Sequence, residues 1–166
     1  MVYSFHDCTG NPGPGRKKYT DSEVIGRNET SIVLQARFDL PGQKNAGLAF
    51  FAGDSPCGIF KEVLGKSKEN DLQWDLLLAP HHCSWHFLSD ISHDDDAKPD
   101  ETILKFLDMH RQGAIVIASC KPIKNDDDDP PSFAAKKEYL KKVKDGKFLV
   151  TMEEPSEKEP LPLHFI

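Results

Sequence analysis

Three short apolar runs, separated by stretches with helical periodicity, constrain the fold more than any other feature of the sequence. The runs are AGLAFFAGD (46–54), WDLLLAP (74–80) and AIVIASC (114–120). Continuous apolar character over so few residues is typical of strands in a sheet that helices cover. The intervening segments SPCGIFKEVLGK and DETILKFLDMHRQG carry apolar residues at helical spacing. Such alternation of strands and helices predicts an α/β fold.

Turn and capping residues set the boundaries of the first elements. The β-branched segment Thr30–Leu40 predicts a strand, and PGQKN provides a turn to a second strand at Ala46–Asp54, so the pair predicts a β-hairpin. A helix is predicted to follow, with Ser55 as its N-cap and Pro56 at its first helical position.

Two further helices and a last strand are predicted in the second half of the chain. The first helix covers Asp100–Gly113, where Gly113 is a natural stop and His110 lies near the negative end of the helix dipole. FAAKKEYLKKVKDG (133–146) predicts another amphipathic helix, and KFLVTMEE (147–154) predicts the last strand. We therefore expect an irregular leader over 1–27, one domain over 28–154 and a proline-rich tail over 155–166.

Charge and composition exclude several classes of protein. With 21 basic and 27 acidic residues the net charge is −6, which argues against sequence-independent nucleic-acid binding. The apolar runs are too short to span a bilayer, and the first residues lack the pattern of a signal peptide, so we expect a cytoplasmic protein. The four cysteines have no C-x-x-C spacing and are predicted to be free thiols: Cys8, Cys57, Cys83 and Cys120.

Chemically useful side chains follow two of the predicted strands. Asp54 ends the second strand, and His81 and His82 end the third. In α/β sheets, ligands bind at the carboxyl ends of strands, and zinc accepts both imidazole nitrogen and carboxylate oxygen. A carboxylate can also bridge two metals about 3.5–4 Å apart. The alternatives are an Asx turn at Asp54 and an ordinary polar loop at the histidines.

Beyond these single residues, the pattern SIVLQARF…LAFFAGDSPCGIFKEVL…WDLLLAPHHCSWH…AIVIASCKPIKNDDDDPPSFAAKKEYLKKV…FLVTMEE resembles the C-terminal half of a metallo-β-lactamase-fold hydrolase over residues 28–154. It is most similar to the branch with the lactamase-like domain of competence DNA-uptake proteins and the phosphorylcholine esterases. That branch has an N-x-S-S strand and strand ends of the types TGD and PHHGS. The resemblance implies roughly half of an αββα sandwich, built as a β-hairpin followed by alternating helices and strands.

The resemblance also implies roles for the residues at the strand ends. Asp54 matches the family's metal-bridging aspartate, and His82 matches its last histidine ligand. His81 would then lie beside the metals as a catalytic residue that donates to a substrate oxyanion or phosphate. The implied cofactor is zinc, two ions in a complete domain, with Mn²⁺ or Fe²⁺ as alternatives. Such metals activate water for attack on a phosphodiester, ester or amide bond.

The sequence departs from the family pattern in two ways. Cys83 stands where the family usually has glycine, either as a soft ligand or as a small buried thiol. The family's H-x-H-x-D-H motif is absent from the sequence, and the pair His6-Asp7 is interpreted as a loop. We therefore expect an incomplete active site in the isolated chain, and either a partner chain that supplies the N-terminal half of the fold or self-association through an exposed sheet.

The remaining polar segments are weaker candidates. Ser119 and Lys121 lie where the related branch returns polar groups to the active site, so both are candidate substrate-binding residues, with an ordinary surface lysine as the alternative at Lys121. Trp85 and His86 could line a substrate cleft. Two acidic stretches, His93 with Asp94, Asp95 and Asp96 on one side and Asp126–Asp129 on the other, predict solvated loops. The sequence thus favours the C-terminal portion of a metal-dependent hydrolase, with a non-catalytic partner-binding module as the alternative.

Overall fold

The structure is a computed structural model that describes residues 2–4, 28, 31–93, 97–144 and 146–163. Its strands are β1 (Val2–Ser4), β2 (Leu34–Leu40), β3 (Gln43–Phe51), β4 (Trp74–Leu78), β5 (His110–Ala118) and β6 (Lys147–Val150). Its helices are α1 (Cys57–Lys66), the single turn α2 (Pro80–Cys83), α3 (Glu101–Leu107) and α4 (Phe133–Lys142). Helices and strands alternate as the sequence predicts, and the α/β class is confirmed.

The six strands form one sheet in the order in which they follow one another along the chain. Strands β1, β2 and β3 are antiparallel neighbours, so β2 and β3 form the predicted hairpin, with Gly42 in the left-handed region at its turn. Strands β3 to β6 run parallel. The carboxyl ends of these four strands consequently meet at one edge of the sheet, where β2 begins.

The core lies on one face of this sheet and is dominated by aromatic side chains. Phe50 of β3 contacts Phe60 of α1 and Phe106 of α3, with ring centroids 6.0 Å and 5.0 Å apart. Trp74 of β4 packs against the same Phe106 at 6.3 Å, and Tyr139 of α4 is fully buried in the same cluster. The burial of these large aromatic side chains is the main stabilising contribution to the fold.

At the opposite edge of the sheet, the amino ends of three strands are joined by two charged side chains. The guanidinium of Arg111, in β5, forms an ion pair with Asp75 of β4 and donates to the carbonyl oxygens of Asn45 and Ala46 in β3 at 2.9 Å and 3.2 Å. Asp75 in turn accepts from the backbone N–H of Leu48 at 2.7 Å. These contacts connect β3, β4 and β5 directly.

The prediction of a helix over Asp100–Gly113 is wrong for its last six residues. Helix α3 ends at Leu107 and β5 begins at His110, because the chain bulges between the registered pair Trp74–His110 and the next pair, Leu76–Ile115. Gly113 has a φ of +77° and lies in this bulge, so it is not a helix stop.

The expected dipole role of His110 also changes with this boundary. Its Nε2 atom lies 3.1 Å from the carbonyl oxygen of Lys142, the last residue of α4, and its Nδ1 atom lies 3.0 Å from the carbonyl oxygen of Arg111. The imidazole therefore contacts the carboxyl end of α4, a helix distant in sequence. It does not contact the carboxyl end of the helix that the sequence predicted to contain His110.

Smaller differences concern the ends of elements. Helix α1 begins at Cys57 after Pro56, and the Ser55 hydroxyl donates to the carbonyl oxygen of Ala52 at 2.6 Å instead of capping the helix. The expected irregular leader contains strand β1, while residues 5–27 lie outside the described residues. Within 151–163 the structure has neither helix nor strand. Among the described residues, every helix falls short of the length and apolar character required to cross a bilayer.

Candidate functional site

The chain segments that follow β3 and β4 meet at the carboxyl edge of the sheet. The backbone N–H of His81 donates to the carbonyl oxygen of Gly53 at 2.9 Å, which joins the two segments directly. The backbone N–H of Asp54 donates to the Ser31 hydroxyl, 3.1 Å away, just before β2. Asp54 and the two histidines are therefore held by neighbouring backbone segments, as the strand order requires.

The turn that carries the histidines has an unusual backbone. His81, His82 and Cys83 have φ angles of 50°, 54° and 68°, so α2 is a left-handed turn and not a continuous helix. Each such non-glycine residue costs about 1–2 kcal/mol. The surrounding contacts offset this cost, since Pro80 and Cys83 are buried and the carbonyl oxygen of Cys83 accepts from the Ser132 N–H at 2.9 Å. Strain of this kind is concentrated at functional sites in proteins.

Asp54 and His82 bring two potential ligand atoms close together. The Oδ1 atom of Asp54 lies 3.7 Å from the Nε2 atom of His82, and their side chains are 44% and 53% exposed. Two ligand atoms bound to one tetrahedral zinc at about 2.1 Å lie about 3.4 Å apart. A shift of a few tenths of an ångström would therefore allow both atoms to bind the same ion.

The other ring nitrogen of His82 has a fixed partner. Nδ1 lies 2.7 Å from the carbonyl oxygen of Ser119, which can only accept a hydrogen bond. In a neutral imidazole this contact places the proton on Nδ1 and leaves the lone pair on Nε2, the atom that lies 3.7 Å from Asp54 Oδ1. In metal sites, a backbone carbonyl that accepts from the non-coordinating ring nitrogen orients the metal-binding histidine in the same way.

His81 is less accessible than its neighbour. Its Nε2 atom lies 3.2 Å from the side-chain nitrogen of Asn28, and its Nδ1 atom is buried without a hydrogen-bond partner. Burial lowers the pKa of His81, assisted by the nearby His86, although the carboxylates of Asp54 and Asp129 act in the opposite direction. The neutral ring is thus favoured, and neither nitrogen is free at the surface in this conformation.

The described residues contain no group of three His, Cys, Asp or Glu side chains arranged to hold a metal. Cys83 does not add a ligand, because its side chain is fully buried and its Sγ atom faces the carbonyl oxygen of Ser132 at 3.9 Å. Burial also raises the pKa of this thiol. Of the two sequence interpretations, the small buried thiol is the one that fits the structure.

The predicted substrate-binding residues lie at the same edge but differ in availability. Ser119 directly follows β5 and is exposed, and its backbone carbonyl already contacts His82. The ammonium of Lys121 forms an ion pair with Asp128, and this hydrogen bond raises the pKa of Lys121. An anionic substrate would therefore have to compete with Asp128 for this lysine.

Trp85 lines a cleft of about 860 Å³ between Ser92–His93, Ala97–Pro99, helix α3, the acidic loop 125–129 and helix α4. His86 and the Asp54–His82 pair do not line it. The indole N–H of Trp85 donates to Ile91 at 2.9 Å, and its backbone N–H donates to the Asp129 carboxylate at 3.1 Å. Trp85 thus fixes two loops in place, and the cleft is separate from the candidate ligands.

The outer polar residues contribute to loop structure where they are described. Asp126 accepts from the backbone N–H of Asp128, as in an ordinary turn. The ring of His93 meets Trp85 edge to face with centroids 4.8 Å apart, whereas Asp94–Asp96 lie outside the described residues. The pair His6-Asp7 lies outside them as well.

Two residues that contact the candidate ligands were assigned no site role from the sequence. Asn28 contacts His81, and Ser31 accepts from the backbone of Asp54. The available signal was their spacing in NETS (28–31), which is close to the N-x-S-S pattern of the resemblance.

Comparison of the chain with protein-family models, with curated proteins and with solved structures returned no match. The resemblance to metallo-β-lactamase-fold hydrolases therefore stays a prediction from the sequence.

Proposed function

We propose that this chain is the C-terminal portion of a cytoplasmic metal-dependent hydrolase of the metallo-β-lactamase fold, acting on a phosphodiester or another ester-like bond. The observation that carries the proposal is the 3.7 Å approach between Asp54 Oδ1 and His82 Nε2, at the edge of the sheet where four parallel strands end. In this proposal the fold is one half of an αββα sandwich, and Asp54 and His82 are two of the metal ligands.

The donor types and their separation fit a zinc ion, but the pair is only part of a ligand set. A catalytic zinc is held by about three protein ligands and keeps one position open. Asp54 and His82 supply two, so the proposal requires further ligands from a polypeptide segment outside the described residues, such as a partner chain with an H-x-H-x-D-H motif. Bound zinc would supply an activated water near neutral pH.

The residues around the pair have distinct proposed tasks. Ser119 orients the His82 ring through its carbonyl oxygen. Burial lowers the pKa of His81 and favours its neutral ring. Because the amide nitrogen of Asn28 donates to Nε2, the ring would have to move its proton to Nε2 when it exchanges this contact for a hydrogen bond to a substrate oxygen. Ser119 and Lys121 would contact an anionic substrate, with Lys121 released from Asp128.

Zinc binding tests the proposal directly. The purified chain, alone and mixed with a chain that carries the H-x-H-x-D-H motif, is dialysed against Zn²⁺ in the micromolar range and its metal content is measured, in parallel with Asp54→Asn and His82→Gln. We expect about one zinc per chain in the mixture, and at least about a tenfold weaker affinity in either variant, because each removes one ligand. Asp127→Asn and His93→Gln are matched controls, since both residues are exposed and lie away from the pair.

Failure of the unaltered chain to bind zinc both alone and with a chain that carries the H-x-H-x-D-H motif, or equal loss in the control variants, would overturn the proposal. Hydrolysis of a chromogenic phosphodiester is assayed with the chain alone and after it has been mixed with the partner chain. We expect activity only after a chain with the H-x-H-x-D-H motif is added, and none when that chain is combined with His82→Gln.

A second function, a non-catalytic partner-binding module derived from the same fold, is favoured by the exposed apolar side chains of Ile32, Phe38 and Leu40 in and beside β2. It predicts that the chain binds no zinc at any concentration tested, with or without such a partner. The dialysis experiment therefore separates the two functions.

A further inference from the structure

His110 lies between two backbone carbonyl groups, at the point where β5 begins and α4 ends. Its Nδ1 atom is 3.0 Å from the carbonyl oxygen of Arg111, and its Nε2 atom is 3.1 Å from the carbonyl oxygen of Lys142. A carbonyl oxygen can only accept a hydrogen bond, so each contact requires a proton on the ring nitrogen that faces it. Both ring nitrogens are thus placed to donate.

The number of protons on the ring decides how many of these contacts can form. A neutral imidazole carries one N–H, so its second nitrogen would present a lone pair to a carbonyl oxygen. The imidazolium carries an N–H on both nitrogens and can donate to both oxygens at once. Since His110 is partly buried, a carbonyl group left without a donor here costs stability. The two short distances are therefore those expected of the protonated ring.

The surroundings of the ring favour the same form. Lys142 is the last residue of α4, so its carbonyl oxygen lies at the negative end of the helix dipole, where a cation is stabilised. Trp74 is completely buried beside the imidazole, with ring centroids 5.6 Å apart. It cannot replace a missing donor, because its indole N–H donates to the carbonyl oxygen of Phe106 at 3.3 Å.

The charged groups next to His110 are paired with one another. Arg111 forms an ion pair with Asp75 of β4, and Lys142 forms one with Asp108, directly after α3, at 2.6 Å. Each pair contributes one charge of either sign, so neither sign dominates. Further described charges in the last turns of α3 and α4 and before β6 are exposed, and thus screened, or paired: Lys105, Glu138, Lys141, Lys144 and Lys147. Burial raises the pKa of Tyr139, the remaining titratable group of this part of α4, so it stays neutral.

We propose that His110 is a proton-dependent link between α4 and β5. The doubly protonated ring joins the carboxyl end of α4 to the start of β5 through two hydrogen bonds. When the ring loses one proton, only one of the two contacts remains. The contact to Arg111 joins adjacent residues, whereas the contact to Lys142 spans 32 positions and must hold two chain segments together. The contact to Lys142 is therefore the one that is lost as the pH rises.

The link lies at the amino edge of the sheet, away from the candidate ligands. Strand β5 begins at His110, whereas Asp54 and His82 follow the carboxyl ends of β3 and β4. The proposal therefore depends neither on zinc nor on hydrolase activity. The segment that the link controls is the end of α4, where the N–H of Val143 donates to Tyr139 at 3.0 Å and the N–H of Gly146 donates to Val143 at 2.9 Å.

Nuclear magnetic resonance of the full chain, labelled with nitrogen-15 and carbon-13, tests the link in one pH series. The ring nitrogen signals of His110 define the pH at which the ring loses its proton. We expect an N–H on both nitrogens below this transition, and a shift of the Lys142 carbonyl carbon signal across it. Over the same transition, the hydrogen-exchange protection factors of the Val143 and Gly146 amides should fall at least about threefold, because one hydrogen bond is lost.

Two controls accompany the series. The amide of Ser67 donates to the carbonyl oxygen of Leu64 at the end of α1, another ten-residue helix, and its protection factor should stay constant. His110→Gln keeps a side-chain N–H donor but has no proton to lose, so in this variant protection at the end of α4 should not respond to the same pH change.

Four results overturn the proposal. The Lys142 carbonyl signal could ignore the titration of the ring, or protection at the end of α4 could be equal in both protonation states. Ser67 could lose protection to the same extent, or His110→Gln could retain the change. The first three are measured on the unaltered chain, so the test stays decisive even if the variant does not fold.

Discussion

The Nδ1 atom of His82 lies 2.7 Å from the carbonyl oxygen of Ser119, so the loop after β5 orients the imidazole that follows β4. Because a carbonyl can only accept, the neutral ring is expected to carry its proton on Nδ1. In free histidine the Nε2–H form predominates, so the difference is measurable. Nitrogen-15 NMR of the metal-free chain at pH 8 should report the Nδ1–H tautomer for His82. Detection of the Nε2–H tautomer would contradict the orientation inferred for the candidate ligand.

The backbone of the histidine turn gives a prediction about stability. Cys83 and Cys57 are both completely buried, but Cys83 has a φ of 68° and Cys57 begins an α-helix. A β-branched side chain is strongly disfavoured at positive φ. We expect Cys83→Val to lower the free energy of unfolding by about 1–3 kcal/mol more than Cys57→Val. Urea denaturation measures both, and similar losses would show that the left-handed conformation is not enforced.

Gly53, between β3 and Asp54, allows a comparison with the glycine of the hairpin turn. Both are in the left-handed region, Gly53 at φ +54° and Gly42 at φ +81°. A Cβ atom on Gly53 would lie 3.3 Å from the Cβ atom of Ser31, whereas one on Gly42 would meet nothing within 4 Å. Gly42→Ala should therefore cost about 1 kcal/mol, and Gly53→Ala should cost more. Equal losses in thermal or urea unfolding would argue against close packing of Ser31 on this turn.

Lys61 links two acidic residues, and this contact predicts how stability depends on pH. Its ammonium lies 2.9 Å from Asp100 and 3.3 Å from Asp90, and the hydrogen bond from Lys61 lowers the pKa of Asp100. A carboxyl group whose pKa is lower in the folded state stabilises the protein above its unfolded pKa of 3.8, and this stabilisation is lost as the pH falls through the folded pKa. Lys61→Met should therefore be less stable than the unaltered chain at pH 7, with a difference that shrinks below pH 4.

Denaturation midpoints between pH 2.5 and 7.5 measure this effect. Lys66→Met provides the control, because Lys66 pairs with Glu62 in a more exposed position and tests only the loss of one positive charge. A pH-independent difference for Lys61→Met would assign the loss to packing of the lysine stem and not to its carboxylate partners.

The sequence predicted those features that depend on local periodicity and turn chemistry. The hairpin of β2 and β3 was predicted from two β-branched or apolar segments joined by PGQKN, and α4 from its amphipathic pattern. The proximity of Asp54 and His82 followed from a general rule, because parallel strands end at the same edge. These features require no knowledge of which distant side chains meet.

The features that sequence reasoning missed depend on contacts between distant residues. His110–Gly113 has helical character by itself, but the ladder with β4 and the ion pair between Arg111 and Asp75 hold it in a strand. The contact between Asn28 and His81 joins residues 53 positions apart. Three consecutive non-glycine residues in the left-handed region are contrary to local preference, and the packing around Pro80 and Cys83 maintains them together with hydrogen bonds to distant backbone groups.

The ion pair between Arg111 and Asp75 holds the amino ends of neighbouring strands together. Since this pair connects β3, β4 and β5 at their amino ends, a change there would alter the relative twist of three strands at once. Asp54 and His82 lie at the far rim, where their side chains are 44% and 53% exposed. The architecture thus places its interstrand ion pair at one end of the strands and its solvent-facing candidate ligands at the other.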